Sequence, residues 1–540
     1  MSTAQSAGMC GCQHRYSLLM DLYTATNGAG WFNNSGWSTT PSACVTGWYG
    51  VTCDGSDVTV VALHENSLAG TLPLSFWNLT NLTTLDFGIN ALSGIGPSAN
   101  KFDTANSPLP PRQQLQRHTA SVLGKPTMYL FVSYNSLTGT LPPQWSNMTQ
   151  LRTLSLQGSR LSGTLPLEWG DMTQLRELYL YSNTFVGTLP PQWSRMAQLS
   201  ELYLYQNKLN GTLPPEWSNM TELTSLQLYS NSLSGVLPSA WSKLTLLTDL
   251  QLSTNSLSGT LTPQWSNMSS LSGLTLHYNT LSGTLPTEWS GMTQISVLDL
   301  FAAGLVGTLP PEWSSMQKMS RLYLQQNLLN GTLPFQWSNM RLLSVLDVSY
   351  NPIHGTLPPE WSNMTQLTVV DVSSNSLSGT LPSEWSSMTQ LTDLSMTTNS
   401  LSGSLPSQWA SMTQLNTLYL YSNSLTGSLP YEWSSMTQLT NLDLSGNSLS
   451  GTLPPQWASM TQLTGLYLQK NGLSGTLPAS LANLTMLTIL SLGSNRFSGT
   501  LPAELSRLTL LTELYLWSNS LSIHHHHHSS TGLRGPVSFA

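Results

Sequence analysis

From Val58 onward the chain repeats itself every 24 residues, and this periodicity restricts its fold more than any property of composition. A representative unit is LNTLYLYSNSLTGSLPYEWSSMTQ, Leu415 to Gln438. The frame runs without insertion or deletion from Thr127 to the strand that begins at Leu511. Two further units begin at Val58 and Leu82, giving nineteen starts. A unit this short cannot bury its own apolar face, so the units must stack against one another in a linear array.

Each part of the unit has a job in such a stack. The L-x-x-L-x-L segment predicts a short strand with Leu415, Leu418 and Leu420 inward and the intervening residues outward, since side chains alternate across a strand. Asn423 follows, where a short amide can satisfy backbone groups as the chain leaves the sheet. Seventeen of the nineteen units keep this Asn. Of the exceptions, Ser159 is expected to substitute in part, while Ala303 cannot and should leave a locally weaker turn. The L-x-G-x-L-P segment turns another apolar pair inward, with Gly427 where a missing Cβ allows close stacking or positive φ. Finally, E/Q-W-x-x-M spaces Trp and Met three apart, as one short helical turn requires to put both inside. The expected fold is an α/β repeat solenoid with a parallel sheet on the concave side and short helical turns on the convex side.

Trp occupies one register in fourteen successive units, from Trp145 to Trp457. A ladder of aromatic faces can bind sugars or cations. Leu481 and Leu505 take the same place in later units, however, and a residue interchangeable with Leu fills volume. The column is therefore expected to be core.

The L-x-x-L-x-L-x-x-N-x-L-x-G-x-L-P frame resembles the plant-type leucine-rich repeats over nearly all of residues 58–522, which implies a leucine-rich-repeat horseshoe. The words GTLPPEWSSM, Gly307 to Met316, and GTLPPEWSNM, Gly355 to Met364, are similar to those of the promastigote surface antigen family of kinetoplastid protozoa. That resemblance implies a secreted or lipid-anchored surface protein whose repeats recognise other molecules, with no catalytic residues. Residues 1–57 resemble the cap that precedes plant-type repeats, with a helix over Tyr16 to Thr26, then Trp31, Trp37 and CVTGWYGVTCDG. The cap resemblance implies a disulfide between Cys44 and Cys53, contributing roughly 2.5–3 kcal/mol in the chain-entropy model.

Only 8% of residues are charged and the net charge is −7, which gives no basis for binding nucleic acid or an anionic membrane. Ser, Thr, Asn and Gln must then cover the surface, as suits an extracellular protein. Asn-x-Ser/Thr acceptors for glycans occur at Asn33, Asn78, Asn81, Asn147, Asn210, Asn219, Asn267, Asn330, Asn363 and Asn483, several because the repeat itself contains Asn-Met-Thr or Asn-Gly-Thr. No apolar run is long enough for a transmembrane helix. The first thirty residues show no apolar secretory core, because Tyr16 to Tyr23 is broken by Ser17 and Asp21. The expected location is extracellular or at the cell surface, with a cytoplasmic scaffold as the alternative, and the expected state is a monomer.

Between Pro97 and Thr127 the repeat is lost, and unit starts at Leu82 and Thr127 stand 45 residues apart, which predicts an irregular surface insert at about 98–126. From 523 to 540 a His-rich tail, including His524 to His528, replaces the expected G-T-L-P. Neither this run nor Cys10, Cys12 and His14 has the ligand set of a structural zinc site, so no metal or cofactor is expected. Glu288 with Glu312, and Glu360 with Glu384, fall in matching positions at a spacing seen in retaining glycosidases, but as a by-product of repetition on an exposed turn. No nucleophile elbow, P-loop, H-E-x-x-H or kinase signature is present, so no enzyme activity is expected.

A partner is expected on the outward strand positions. Tyr179, Tyr181, Tyr203, Tyr205 and Tyr229 fall on three successive units, and Tyr offers large contact area at low entropic cost. Asp347 and Asp371 share one strand position in adjacent units, with Asp299 two units before Asp347. The expected function is non-catalytic recognition or adhesion through the concave face, with a protein or glycan as ligand.

Overall fold

The computed structural model describes residues 15–37, 48–54, 57–73, 75–76, 79, 81–94, 128–522 and 537–538. The chain divides into two compact units, Met1–Ser258 and Gly259–Ala540. Both are stacks of the 24-residue repeat, as the leucine frame requires.

In the first unit, helix α1 (Tyr16–Ala25) buries Leu19 and Leu22 beneath the start of the stack. Trp31, Trp37 and Trp48 pack beside it, with ring centroids 4.9 Å and 4.8 Å apart along the series. Arg15 grips Asp57 through two hydrogen bonds of 2.9 and 2.8 Å, tying the entry of the helix to the first repeat strand. Val51–Asp54 pairs antiparallel with Asp57–Ala62. Parallel strands then follow in chain order: Thr84–Asp86, Met128–Phe131, Leu151–Ser155, Glu177–Tyr179, Glu201–Tyr203, Ser225–Gln227 and Asp249–Gln251. Leu85 lies opposite Leu130, so the stack continues past the irregular segment with no strand missing. Cys53 is disulfide-bonded, while Cys44 and the insert lie outside the described residues.

In the second unit, strands of the same kind run from Gly273–Thr275 to Glu513–Tyr515, each parallel to the next and in register at the central apolar position, as with Leu322 opposite Leu346. Val537 and Ser538 pair with Leu514 and Tyr515, so two residues of the stretch read as a non-repeat tail add to the sheet. His524 to His528 lie outside the described residues.

The helical turn is a five-residue 3-10 helix, such as Pro359–Asn363. Proline opens it without loss, because its missing N–H would have no partner in the first turn. Trp361 and Met364 both point inward and are fully buried. The indole N–H reaches back to a carbonyl of the preceding unit, as Trp361 Nε1 does to Pro334 at 3.0 Å and Trp289 Nε1 to Thr262 at 3.0 Å. Neighbouring indoles lie face to face, for example Trp409 and Trp433 at 6.4 Å and 5°. The Trp column is core, as its exchange for Leu implied.

The recurring turn amide bonds across two units as well as within its own turn. The residue before it adopts left-handed backbone, as Tyr350 does at φ 52°, which turns successive carbonyls toward one point. Asn351 sits at that point, 5% exposed, and its Nδ2 donates to Val348 (3.1 Å), Ser349 (3.0 Å) and, across to the preceding unit, Leu324 (3.1 Å). Its Oδ1 accepts from the Leu329 N–H at 2.9 Å. Ser159 does not reproduce this: its Oγ is buried without a hydrogen-bond partner, because a hydroxyl is too short to span two units. At Ala303 the turn is held from the following unit instead, Asn327 Oδ1 accepting from both Ala303 (3.1 Å) and Leu305 (3.0 Å).

The L-x-G-x segment forms a second, lateral ladder of short parallel strands that the leucine pattern does not announce, such as Ser376–Thr380 beside Ser400–Ser404. Gly379 has φ 79°, and a Cβ there would stand 2.8 Å from Thr356 Cγ2 of the previous unit. Both conformation and clearance therefore select glycine. Among the described residues no helix is long and apolar enough to cross a membrane.

Candidate functional site

Strand alternation fixes where the tyrosines face. Leu178 and Leu180 are fully buried, so Tyr179 and Tyr181 between and beyond them stand on the outer face, and the next two units repeat the arrangement. Tyr179 lies opposite Tyr203, with ring centroids 5.0 Å apart. Tyr181, Tyr205 and Tyr229 stack in a row at 4.3 Å per step, tilted by only 11° and 10°. Both faces of the Tyr205 ring are thus covered, and the row presents ring edges and hydroxyls. All five residues named from the sequence form one continuous patch.

Tyr134 extends the patch and was missed. It occupies the left-handed position before its turn Asn, at φ 51°, and its ring crosses the place where Gly158 has no side chain; a Cβ there would be 2.3 Å from Tyr134 Cδ1. Its hydroxyl reaches that of Tyr181 at 3.1 Å, two units away. A Tyr followed 24 residues later by a Gly is the sequence signal for this reach. The hydrogen bond with Tyr181, followed by burial, pushes the Tyr134 phenol up to about 12.

Carboxylates border the rings. Tyr179 donates to Glu201 at 2.7 Å and Thr153 donates to Glu177 at 2.9 Å. Burial first, then the hydrogen bond to Glu201, raises the Tyr179 pKa; burial and the neighbouring phenols raise that of Tyr205. These phenols stay neutral at physiological pH and can both donate and accept hydrogen bonds.

In the second unit Asp347 lies opposite Asp371 in adjacent strands. Burial raises the Asp347 pKa to about 6; the backbone and hydroxyl bonds from Ser349, at 3.0 and 2.7 Å, oppose this, and the Asp371 charge reinforces it. Asp299 instead approaches His277, Nδ1 to Oδ2 at 2.8 Å. Among the described residues no three His, Cys, Asp or Glu side chains converge as metal ligands.

A raised carboxylate pKa gives a defined pH dependence. Between about pH 4 and pH 6 the folded protein keeps a proton on Asp347 that the unfolded chain has released, so this group's contribution is present at low pH and is lost as pH rises through about 6. Asp347→Asn should remove that slope and stabilise the protein near neutrality by up to roughly 2 kcal/mol. Thermal melts on both sides of the window measure it, and an unchanged difference between them would count against the assignment.

Of the glycan acceptors, Asn147, Asn210, Asn219, Asn267, Asn330, Asn363 and Asn483 are exposed. Asn33 is half-buried, its Oδ1 accepting from Ser35, and Asn81 donates to Asp57; Asn78 lies outside the described residues. Glu288, Glu312, Glu360 and Glu384 are exposed on the helical-turn face.

Nine segments of the chain match the Leucine Rich Repeat model: residues 174–196, 198–220, 222–244, 342–364, 366–388, 414–436, 438–460, 462–484 and 486–508. Receptor-like protein 3 of Arabidopsis thaliana is 35% identical over 101 residues, which is 18% of this chain and 13% of that protein's length. Among solved structures, the leucine-rich-repeat ectodomain of the plant membrane receptor kinase GASSHO1/SCHENGEN3 from Arabidopsis thaliana, in complex with Casparian strip integrity factor 2, is similar. Its TM-score is 0.77 at 31% identity, over 94% of this chain and 62% of that one. The plant peptide hormone receptor RGFR1, in complex with RGF2, has a TM-score of 0.75 at 29% identity, over 92% and 84% of the two chains.

Proposed function

We propose that this leucine-rich-repeat protein is a non-catalytic recognition module that holds a protein or peptide partner on the strand face around Tyr179, Tyr181, Tyr203, Tyr205 and Tyr229. The observation that carries the reading is the continuous patch of half-buried phenols bordered by Glu177 and Glu201. Such a surface offers apolar area and many hydrogen-bonding groups on rigid strands, which suits a polypeptide. The two similar receptor ectodomains, each in complex with a partner, support the same reading. A glycan has less support, since sugar stacking needs open ring faces and those of Tyr205 are covered.

The protein acts outside the cell as a monomer, with Cys53 joined to Cys44. The disulfide at Cys53, the charge-poor surface and the exposed Asn acceptors support that location, as does the resemblance to promastigote surface antigens. Recovery of Cys53 as a free thiol from natively sourced protein would return the chain to the intracellular scaffold reading.

The test is Tyr203→Ala combined with Tyr205→Ala, compared with wild type on protein, peptide and glycan arrays, with circular dichroism verifying the fold. Truncating two interface aromatics should weaken a polypeptide ligand by roughly thirtyfold or more. A folded double variant that keeps every wild-type interaction would remove the patch, and hits confined to glycans would overturn the partner class.

A further inference from the structure

Four Asn-Gly pairs occur in the chain, beginning at Asn27, Asn210, Asn330 and Asn471. An asparagine before glycine can cyclise, because no side chain on the next residue crowds the attack of its backbone nitrogen on the amide carbon. The fold gives the four pairs different surroundings.

Asn471 is one of the recurring turn amides. Its Nδ2 donates to the carbonyls of Leu444 (3.0 Å), Leu468 (3.1 Å) and Gln469 (3.4 Å), and its Oδ1 accepts from the Leu449 N–H at 3.0 Å. The Gly472 N–H donates to the Leu449 carbonyl at 2.7 Å, so both reacting groups are held. After Asn27, Gly28 is buried against the Tyr23 ring, where a Cβ would stand 2.1 Å from Tyr23 Cδ2. The Gly28 carbonyl is held by the Trp31 N–H at 3.2 Å and by Asn34 Nδ2 at 3.2 Å.

Asn210 and Asn330 stand instead on the lateral ladder, exposed, at the same register of their units. Where that ladder runs on, as at Gly187 opposite Leu209, the glycine lies within paired strands. At both asparagines it stops. One run ends with Lys208–Asn210 and another with Leu328–Asn330, leaving only single bridges to the next unit, Thr212 to Ser234 and Thr332 to His354. Pro352 accounts for the second stop, since it has no N–H to give the Leu329 carbonyl. Among the described residues neither the Asn210 and Asn330 side-chain amides nor the Gly211 and Gly331 N–H groups have a hydrogen-bond partner.

We propose that Asn210 and Asn330 are modification sites, converting without an enzyme to isoaspartate and aspartate with water as the only co-reactant. The Gly211 nitrogen bonds to Asn210 Cγ, the Cγ–Nδ2 bond breaks, and Nδ2 leaves as ammonia with the proton that the glycine nitrogen gives up. Water then opens the cyclic imide at either carbonyl, its hydroxyl going to carbon and its proton to the nitrogen. Asn330 and Gly331 react in the same way. Each conversion places a carboxylate on a face where neighbouring units carry Val186, Ser234, Val306 and His354 in the same register. A glycan on the same nitrogen blocks its departure, so the two modifications exclude one another at these residues.

The experiment uses the full chain secreted to a bacterial periplasm, so that the amides carry no glycan, and incubates it in mildly alkaline buffer. Peptide mass spectrometry follows each asparagine, and methylation by a protein isoaspartyl methyltransferase reports the isoaspartate. Asn471 must first break several hydrogen bonds, so Asn210 and Asn330 should convert at least about tenfold faster than Asn471 in the folded chain. Asn27 should also lag behind them. In guanidinium all four should convert at comparable rates, which shows that the fold and not the dipeptide sets the order. Conversion of Asn471 in step with Asn210 and Asn330 in the folded chain would overturn the proposal. So would intact Asn210 and Asn330 in folded protein whose denatured form converts.

Discussion

Trp313→Ala should destabilise the protein by about 3–5 kcal/mol, the range for emptying a large aromatic core site. Trp313 is fully buried, stacks on Trp289 at 6.4 Å and donates its indole N–H to the Pro286 carbonyl at 2.9 Å. The substitution therefore opens a cavity and removes the shorter of two bonds to the Pro286 carbonyl, which keeps only the Trp289 N–H at 3.3 Å, and the lost bond is one between units. In a stack held by nearest-neighbour interfaces, that loss weakens cooperation between adjacent repeats as well as the unit itself. Trp313→Leu should cost clearly less, because Leu481 and Leu505 occupy the same register within the described fold. Chemical denaturation of wild type and both variants tests the ordering. Equal stability of Trp313→Ala and wild type would return the column to a ligand-binding role.

Asn351→Ala should cost roughly 2–3 kcal/mol, although it removes far less volume. It leaves the Leu329 N–H without its acceptor, an orphan costing about 1–3 kcal/mol, and takes one donor from each of the Leu324, Val348 and Ser349 carbonyls, which keep their bonds from Asn327, Asn375 and the Gln326 N–H. Asn351→Asp keeps the acceptor, loses the donors and buries a charge, so it should be at least as harmful. Native hydrogen exchange should show the loss as reduced protection at the turn and at Leu329, where the amide partner has gone. Unchanged exchange at Leu329 would contradict the two-unit role of this side chain.

The main sheet, the helical turn and the core were legible in the sequence because each depends on a strict residue period. Leucine alternation set the strand faces, and the exchange of Trp457 for Leu481 in the next unit marked the column as interior. The lateral ladder was not legible: it rests on glycine backbone conformation and clearance, as at Gly379 against Thr356, and not on an apolar pattern. Ser159 was misread because type alone suggested a substitute amide, whereas reach across two units decides the matter. Tyr203 and Tyr205 could be placed on one face from their spacing, but the stack that covers the faces of Tyr205 depends on rotamers. Likewise, the matching position of Asp347 and Asp371 was visible, while the burial that holds a proton on Asp347 was not.

The central claim, that a polypeptide docks on the tyrosine patch, is tested most directly by site-specific photocrosslinking. A benzophenone amino acid is placed at position 229, where the outer ring of the stacked row stands beside the small Ser253, or at position 408 on the helical-turn face. Each protein is irradiated with the tightest array ligand. The patch account expects a covalent adduct from position 229, lost when unlabelled ligand competes, and none from position 408. A competed adduct from position 408 with none from position 229 would contradict it.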